Sequence, residues 1–316
     1  MAVISNPGSS AAVGADVVRA GLTGGRADVR GRVFQVALLA ALGLALLVLV
    51  ILLVDVVTGG WDVLSTRLSD FLTGRLSSTP SRAGISQGLA GSFWIAVFVV
   101  SLAFPIGIAA AIYLEEYAPR SRLTRVIDVN IRNLAGVPSV VYGILGFAVF
   151  VQALRDVTGG RTVMAAGITL AVLVLPIVII TSAEAVRAVP DSIREAGFAV
   201  GATRWEVVRG HVLPYAAPGI LTGTVLALAR ALGEAAPLLL IGAVQGYLGS
   251  DFAIFDTHQV RERFTAMPMV IFNWAGQPRE EFRALTAAAI VVLLVVVLLA
   301  NSAAILLRNR YEKKRG

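Results

Sequence analysis

Residues 190–214 read Pro-Asp-Ser-Ile-Arg-Glu-Ala-Gly-Phe-Ala-Val-Gly-Ala-Thr-Arg-Trp-Glu-Val-Val-Arg-Gly-His-Val-Leu-Pro, and the segment that follows, 215–242, is apolar except for Arg230 and Glu234. The polar half holds two Ser/Thr-x-x-Glu boxes, Ser192 to Glu195 and Thr203 to Glu206. In such a box the hydroxyl accepts from one free backbone N–H at a helix start, and the carboxylate reaches back to another. The boxes predict two short helices with a break at Gly201, since glycine takes positive φ at little cost. The Leu213-Pro214 pair is predicted to end the second helix. Ile193, Val200, Trp205, Val208 and Val212 give this knuckle apolar stripes, and Arg187, Arg194, Arg204, Arg209, Glu195 and Glu206 give it a charged face. Two readings fit: an amphipathic helix pair at a membrane interface, or a surface built to touch a soluble partner.

The surrounding chain decides the solvent. Of 316 residues, 57% are hydrophobic and only 15% charged, and a bilayer is crossed by about 20 apolar residues. Uncharged runs cover 36–54, 88–114, 133–154, 162–183 and 284–307, and 215–244 is interrupted only by Arg230 and Glu234. The fold class expected is therefore an all-α integral membrane protein with six transmembrane helices. Residues 1–33 are predicted to be a mobile tail, 34–57 the first span with Trp61 near the far interface, 85–310 the core with its knuckle at about 190–214, and 311–316 a basic C-terminus. An even number of spans puts both termini on one side. Arg230 aside, seventeen Arg and Lys residues then fall on the side of the termini and the knuckle, against nine on the other. By the positive-inside bias the termini and knuckle are cytoplasmic, in a multi-pass protein of the cell membrane. The net charge of +7 is read as this topology signal, not as nucleic-acid binding.

Composition excludes several chemistries. There is no cysteine, and His211 and His258 are the only histidines, so neither a thiolate nor a histidine-based metal site is expected. The only lysines, Lys313 and Lys314, lie at the C-terminus; a phosphate loop ending in Gly-Lys-Ser/Thr therefore has no place here, and if ATP drives this protein another chain hydrolyses it. No catalytic residue, cofactor or metal is assigned to the chain.

Arg230 and Glu234 carry the remaining chemistry. A charge in the hydrocarbon costs about 2.5–3.5 kcal/mol on insertion scales and needs a partner; Glu234, four residues on, shares the helix face of Arg230. One reading is a structural ion pair that holds a bundle together. The other is an anion-transfer site, because a guanidinium is a permanently charged fork matched to tetrahedral oxyanions. Pro105, Pro138, Pro176 and Pro237 each remove a backbone donor inside a predicted span, and the cluster Asn133 to Gly143 collects small and polar residues suited to close helix packing. On the far side, Phe264 to Ala275 is apolar but too short to span; the expectation is a segment on the membrane surface or lining the outer mouth.

Two groups of residues resemble a known family. Glu195-Ala196, Gly201 six positions after the glutamate, and Leu213-Pro214 are similar to the coupling loop of ABC importer permeases, with Gly197 and His211 as departures from its pattern. Ala229-Arg-Ala-Leu-Gly-Glu-Ala-Ala-Pro-Leu-Leu239 resembles phosphate-importer permeases, closer to the PstA type than to PstC, and so do Asn133 to Gly143, Tyr113 to Pro119 and Asn273-Trp274. Ala235 stands where many relatives carry Thr. The resemblance implies the type I ABC importer permease fold, with Arg230 and Glu234 on the substrate path. It implies that Glu195, Ala196, Gly201, Thr203, Arg204, Leu213 and Pro214 couple to an ATPase. It further implies a PstC-type permease as heterodimer partner, a PstB-type ATPase dimer carrying ATP and Mg, a PstS-type phosphate-binding protein outside, and inorganic phosphate as substrate. Other expectations remain beside it: a proton-coupled secondary anion transporter with Glu234 as relay, a non-transporting membrane scaffold, and an ABC permease for another solute.

Overall fold

The computed structural model describes residues 29–244 and 260–313, and among these every regular element is helical. The chain divides into two units after Asp55. In the first, α1 (Val29–Thr66) begins, and its residues 30–55 are exposed along their whole length. So continuous an apolar surface is stable only against lipid or another protein.

The second unit holds the rest. Its helices are α2 (Ser86–Tyr117), α3 (Arg122–Ala135), α4 (Ser139–Ala153), α5 (Val163–Arg187), α6 (Asp191–Ala199), α7 (Arg204–Gly233), α8 (Ala236–Ile241), α9 (Met267–Ala275) and α10 (Glu281–Lys313). Five helices, α1, α2, α5, α7 and α10, are long and apolar enough to cross a membrane, and α3 with α4 makes a sixth if the bent pair counts as one span. α5 is the hub. In its most apolar window 67% of residues are buried within the chain, against 28% for α2 and 33% for α7, and α2, α4 and α7 pack around it. Its start is fixed by Thr162, whose hydroxyl accepts from the Ala165 N–H at 3.3 Å.

The third apolar run is not one straight helix. Pro138 takes the N-cap position of α4, and α3 and α4 meet at 99°. The residue before a proline is driven out of the helical region, so the chain turns at Gly136-Val137-Pro138. Tyr142 closes the bend, its hydroxyl donating to the Leu134 carbonyl at 2.9 Å. Pro237 likewise lies in the first turn of α8, where no intrahelical donor is lost. Pro176 stays in mid-helix in α5, and Pro105 lies within α2 just after a π-helical turn at Val99–Ala103.

The first part of the 264–275 stretch packs into the bundle: Phe264 through Val270 are all buried, whereas Phe272 is 54% exposed. The seat is made by α2, where a Cβ at Gly91 would overlap the Thr265 carbonyl oxygen and Ser92 Oγ accepts from the Met267 N–H at 2.9 Å. Beyond it Trp274 packs between Phe71 and Phe282, with ring centroids 6.2 and 5.9 Å away. Val244 N–H, donating to the Phe264 carbonyl at 2.7 Å, ties the start of the stretch to the end of the α8 segment. The predicted tail to residue 28, residues 245–259 with His258, and residues 314–316 lie outside the described residues.

Candidate functional site

Two places bring predicted residues together. The first is the knuckle. α6 starts directly after Pro190, which fills the N-cap position without a side-chain bond, so the expected Ser192 box does not form: Ser192 already sits inside the first turn. The Thr203 box does form. Glu206 Oε2 accepts from the Thr203 N–H at 2.7 Å, and Thr203 Oγ1 accepts from the Glu206 N–H at 3.4 Å. Between the helices Gly201 has φ +84°, the conformation that favours glycine. Gly197 is buried, and a Cβ there would stand 2.7 Å from Val207 Cγ2, so the departure from alanine lets α6 lie close on α7.

Leu213-Pro214 does not end the helix. α7 runs from Arg204 to Gly233 through a π-helical turn at Val208–Val212, and Pro214 falls just after that turn. A π turn shifts the hydrogen-bond register by one residue, and this accommodates a ring that would clash in a regular helix. The apolar stripe divides in two. Val208 and Val212 are buried with Val186, Val189, Val207 and Ile220, whereas Phe198, Trp205 and above all Val200, 83% exposed, face outward with Glu195 and Ala196.

The knuckle's arginines are tied to the end of α2, which sequence reasoning did not anticipate. Arg194, with only 17% of its side chain exposed, reaches Glu116 Oε1 at 2.8 Å and donates to the Val186 and Val189 carbonyls at 2.9 and 2.6 Å. Arg187 pairs with Glu115, Nε to Oε2 at 3.2 Å, and the Arg204 guanidinium stands 5.5 Å from the Tyr117 ring centre. Glu115, Glu116, Tyr117, Arg187 and Arg204 border a cavity of about 750 Å3 that also meets Arg120, Thr124 and Asp128. Three consecutive residues of α2, Glu115, Glu116 and Tyr117, thus hold the ends of α5, α6 and α7 at one level. The available signal was a pair of acids closing an apolar run.

The second place is the far end of α7. The helix stops at Gly233, and Glu234 takes an extended conformation, φ −79° and ψ 115°, before α8 begins. Arg230 Nε and Glu234 Oε1 are 3.3 Å apart; the arginine side chain is 46% exposed, the glutamate 19%. The expected pair therefore exists, but across a helix break and not on one continuous face. Among the described residues, no other carboxylate pairs with Arg230, so the exposed guanidinium edge is left to face something else. The break is held from one side by α4: a Cβ at Gly143 would lie 2.8 Å from Pro237 Cα. The Asn133–Gly143 cluster and the charged break are thus one packed unit. Among the described residues no group of three metal-ligating side chains gathers anywhere.

Comparison with known proteins agrees with this geometry. The family described as binding-protein-dependent transport system inner membrane component matches residues 103–313. The chain is 32% identical over 261 residues to the phosphate transport system permease protein PstA of Yersinia pestis, covering 82% of this chain and 83% of that protein. It is 35% identical over 170 residues to the probable ABC transporter permease protein YqgI of Bacillus subtilis, covering 54% of this chain and 56% of that one. Against YqgI and its companion YqgH the match spans about half the relative's length, 56% and 52%. In fold, the chain is similar to the MetNI methionine ABC transporter, with a TM-score of 0.57 at 17% identity over 72% of this chain and 95% of that one. It is also similar to a bacterial alginate ABC transporter solved with a periplasmic protein, at 0.61, 13%, 87% and 93%. The all-helical type I importer permease fold expected from the sequence is what these structures share with it.

Proposed function

The chain belongs to the binding-protein-dependent transport system inner membrane component family, and from that premise we propose that it is the permease subunit of an ATP-driven phosphate importer. The observation that carries the reading is the Arg230–Glu234 pair at the broken end of α7, with the guanidinium half exposed. Irregular backbone inside a bundle is tolerated where it lines a cavity, and broken helices commonly frame substrate sites. Arg230 meets the oxyanion; Glu234 orients it and tempers its positive field, so that the anion is also released. Support for phosphate comes from relatives named as phosphate permeases of both the PstA and PstC types.

The partners follow from the two ends of the molecule. A PstC-type permease completes the pathway. A PstB-type ATPase dimer, which holds ATP and Mg, docks on Glu195, Ala196, Gly201, Thr203 and Arg204, where Val200 and Trp205 are presented. Leu213 and Pro214 carry the push into α7. A PstS-type protein delivers phosphate outside, and both termini lie in the cytoplasm. This chain itself catalyses nothing.

The test is labelled phosphate uptake at low external phosphate, in cells lacking the gene and in cells with it restored, with the proton gradient collapsed and ATP maintained. Gene-dependent uptake that persists without the gradient is expected. Uptake that dies with the gradient would establish the proton-coupled alternative, and no gene dependence would remove phosphate as substrate.

A further inference from the structure

α3 is inverted relative to a helix on a water-soluble protein: its polar side meets the rest of the chain and its apolar side is bare. Leu123, Val126, Ile127 and Leu134 share one side of it, with Val129 beside them, and all five are between 41% and 70% exposed. Asn130 falls among them, but its side-chain amide is turned back to donate to the Val126 carbonyl at 2.8 Å. On the opposite side the Thr124 hydroxyl donates to the Pro119 carbonyl at 2.8 Å, Asp128 pairs with Arg132 at 3.1 Å, and Arg132 stands 3.9 Å from Glu184 of α5. Thr124, Arg125 and Asp128 also border the polar cavity at the knuckle. The side open to water is therefore the polar one, and the apolar side needs an apolar medium.

The bend at Pro138 says which medium. At 1.5 Å per residue α4 reaches about 22 Å, short of the roughly 30 Å of hydrocarbon, and α3 meets its start at 99°. A helix square to a span lies in the plane of the membrane, and one joined to so short a span lies where headgroups meet acyl chains. Arg120, Arg122 and Arg125 are all exposed at the start of α3. The acids close to them in sequence, Glu115, Glu116 and Asp128, are engaged by Arg187, Arg194 and Arg132, so the charge offered there is positive. We propose that α3 is an interfacial anchor whose apolar side lies among acyl chains and whose leading arginines hold the headgroups of anionic phospholipids, on the knuckle's side of the membrane. By lying at that level it fixes the height of Glu115–Tyr117, just ahead of it in the chain, and with them the clamp on the knuckle. The proposal rests on the membrane setting and not on the identity of the substrate.

Because the sequence contains no cysteine, Leu123→Cys and, separately, Ile127→Cys place a single thiol on the apolar side. The full chain is assembled with partner chains whose cysteines are replaced, in vesicles of phosphatidylcholine and phosphatidylglycerol, and a nitroxide is attached to the thiol. The nitroxide is expected to be relaxed by dissolved oxygen and shielded from a water-soluble nickel complex. A label open to nickel means an aqueous face, and one shielded from both means a face covered by protein, the sister permease; either result overturns the proposal. With a fluorophore on the same thiol, brominated phosphatidylglycerol should quench about fivefold more effectively than brominated phosphatidylcholine at equal content, the equivalent of one arginine at an anionic surface. Arg122→Gln combined with Arg125→Gln should bring that ratio close to one while the nitroxide stays shielded from nickel. Equal quenching by the two lipids without those substitutions, or a preference that survives them, overturns the assignment to an anionic surface. Neither readout needs ATP or net transport, so failure of the anchor and failure of the uptake test are distinguishable.

Discussion

Arg230 is asked to do what only a guanidinium does well: offer two parallel donors to an oxyanion while its third nitrogen is engaged by Glu234. Arg230→Lys keeps the charge and loses the fork. Phosphate uptake should therefore fall about tenfold at matched membrane abundance, the equivalent of one charge-assisted hydrogen bond. Glu234→Gln is expected to act differently, by leaving the anion more tightly held: half-saturation and maximal rate should both drop, and a raised half-saturation would contradict the role. A third prediction concerns the buried pair at the other end. Glu116→Gln removes the buried carboxylate from the Arg194 guanidinium, 17% exposed, and leaves it only the exposed Asp191 at 3.2 Å. Breaking such a pair costs about 3 kcal/mol, to be read as a lowered unfolding temperature of the purified chain, and an unchanged temperature would show the pair to be idle. The Arg230–Glu234 contact was legible in the sequence because four residues separate its partners. Glu115–Arg187 and Glu116–Arg194 span 72 and 78 residues, and only the folded chain brings them together.

At the level of elements, local chemistry told where helices begin and bend, and told less well where they end. Thr203 capped as its spacing said. Ser192 did not, because Pro190 upstream sets φ for the helix start and leaves the hydroxyl inside the first turn. Leu213-Pro214 looks like a terminator when only α-helical geometry is considered; the π turn that absorbs it has no mark in composition. The burial of 264–270 was not legible for a similar reason, since it depends on the small side of α2 at Gly91, far away in sequence. Two substitutions test these elements. Gly143→Val would press on Pro237 and Leu240, at an overpacking cost of about 1–3 kcal/mol; it should displace α8 and abolish uptake through the break, although neither charge is touched. Gly201→Asp meets open space, so apart from a backbone cost of about 1 kcal/mol the fold should stand. Uptake should nonetheless be lost, because a new charge then sits on the face offered to the ATPase. Wild-type uptake in that variant would move the docking surface elsewhere.

Across the whole molecule, two features at opposite ends of α7 are joined by one continuous helix, from the capped knuckle at Arg204 to the charged break after Gly233. α2 meets the same helix bundle at both levels: Glu115–Tyr117 grip the knuckle, and Gly91–Ser92 seat the buried 264–270 stretch. Under the proposed function, a push on the knuckle would reach the break through this helix, as coupling ATP hydrolysis to transport requires. The fold class and the multi-pass membrane setting were plain from apolar run lengths, whereas the coupling and substrate roles rest on a resemblance of motifs. What joins them was not, because it consists of helix contacts with no sequence period. The most direct measurement of the central claim is ATP hydrolysis and labelled-phosphate accumulation, recorded together in vesicles containing the assembled transporter with Arg230→Gln in this chain alone. The variant is predicted to hydrolyse ATP still, since the knuckle is intact, while accumulation of phosphate is lost. Accumulation at the wild-type rate would show that Arg230 does not handle the substrate.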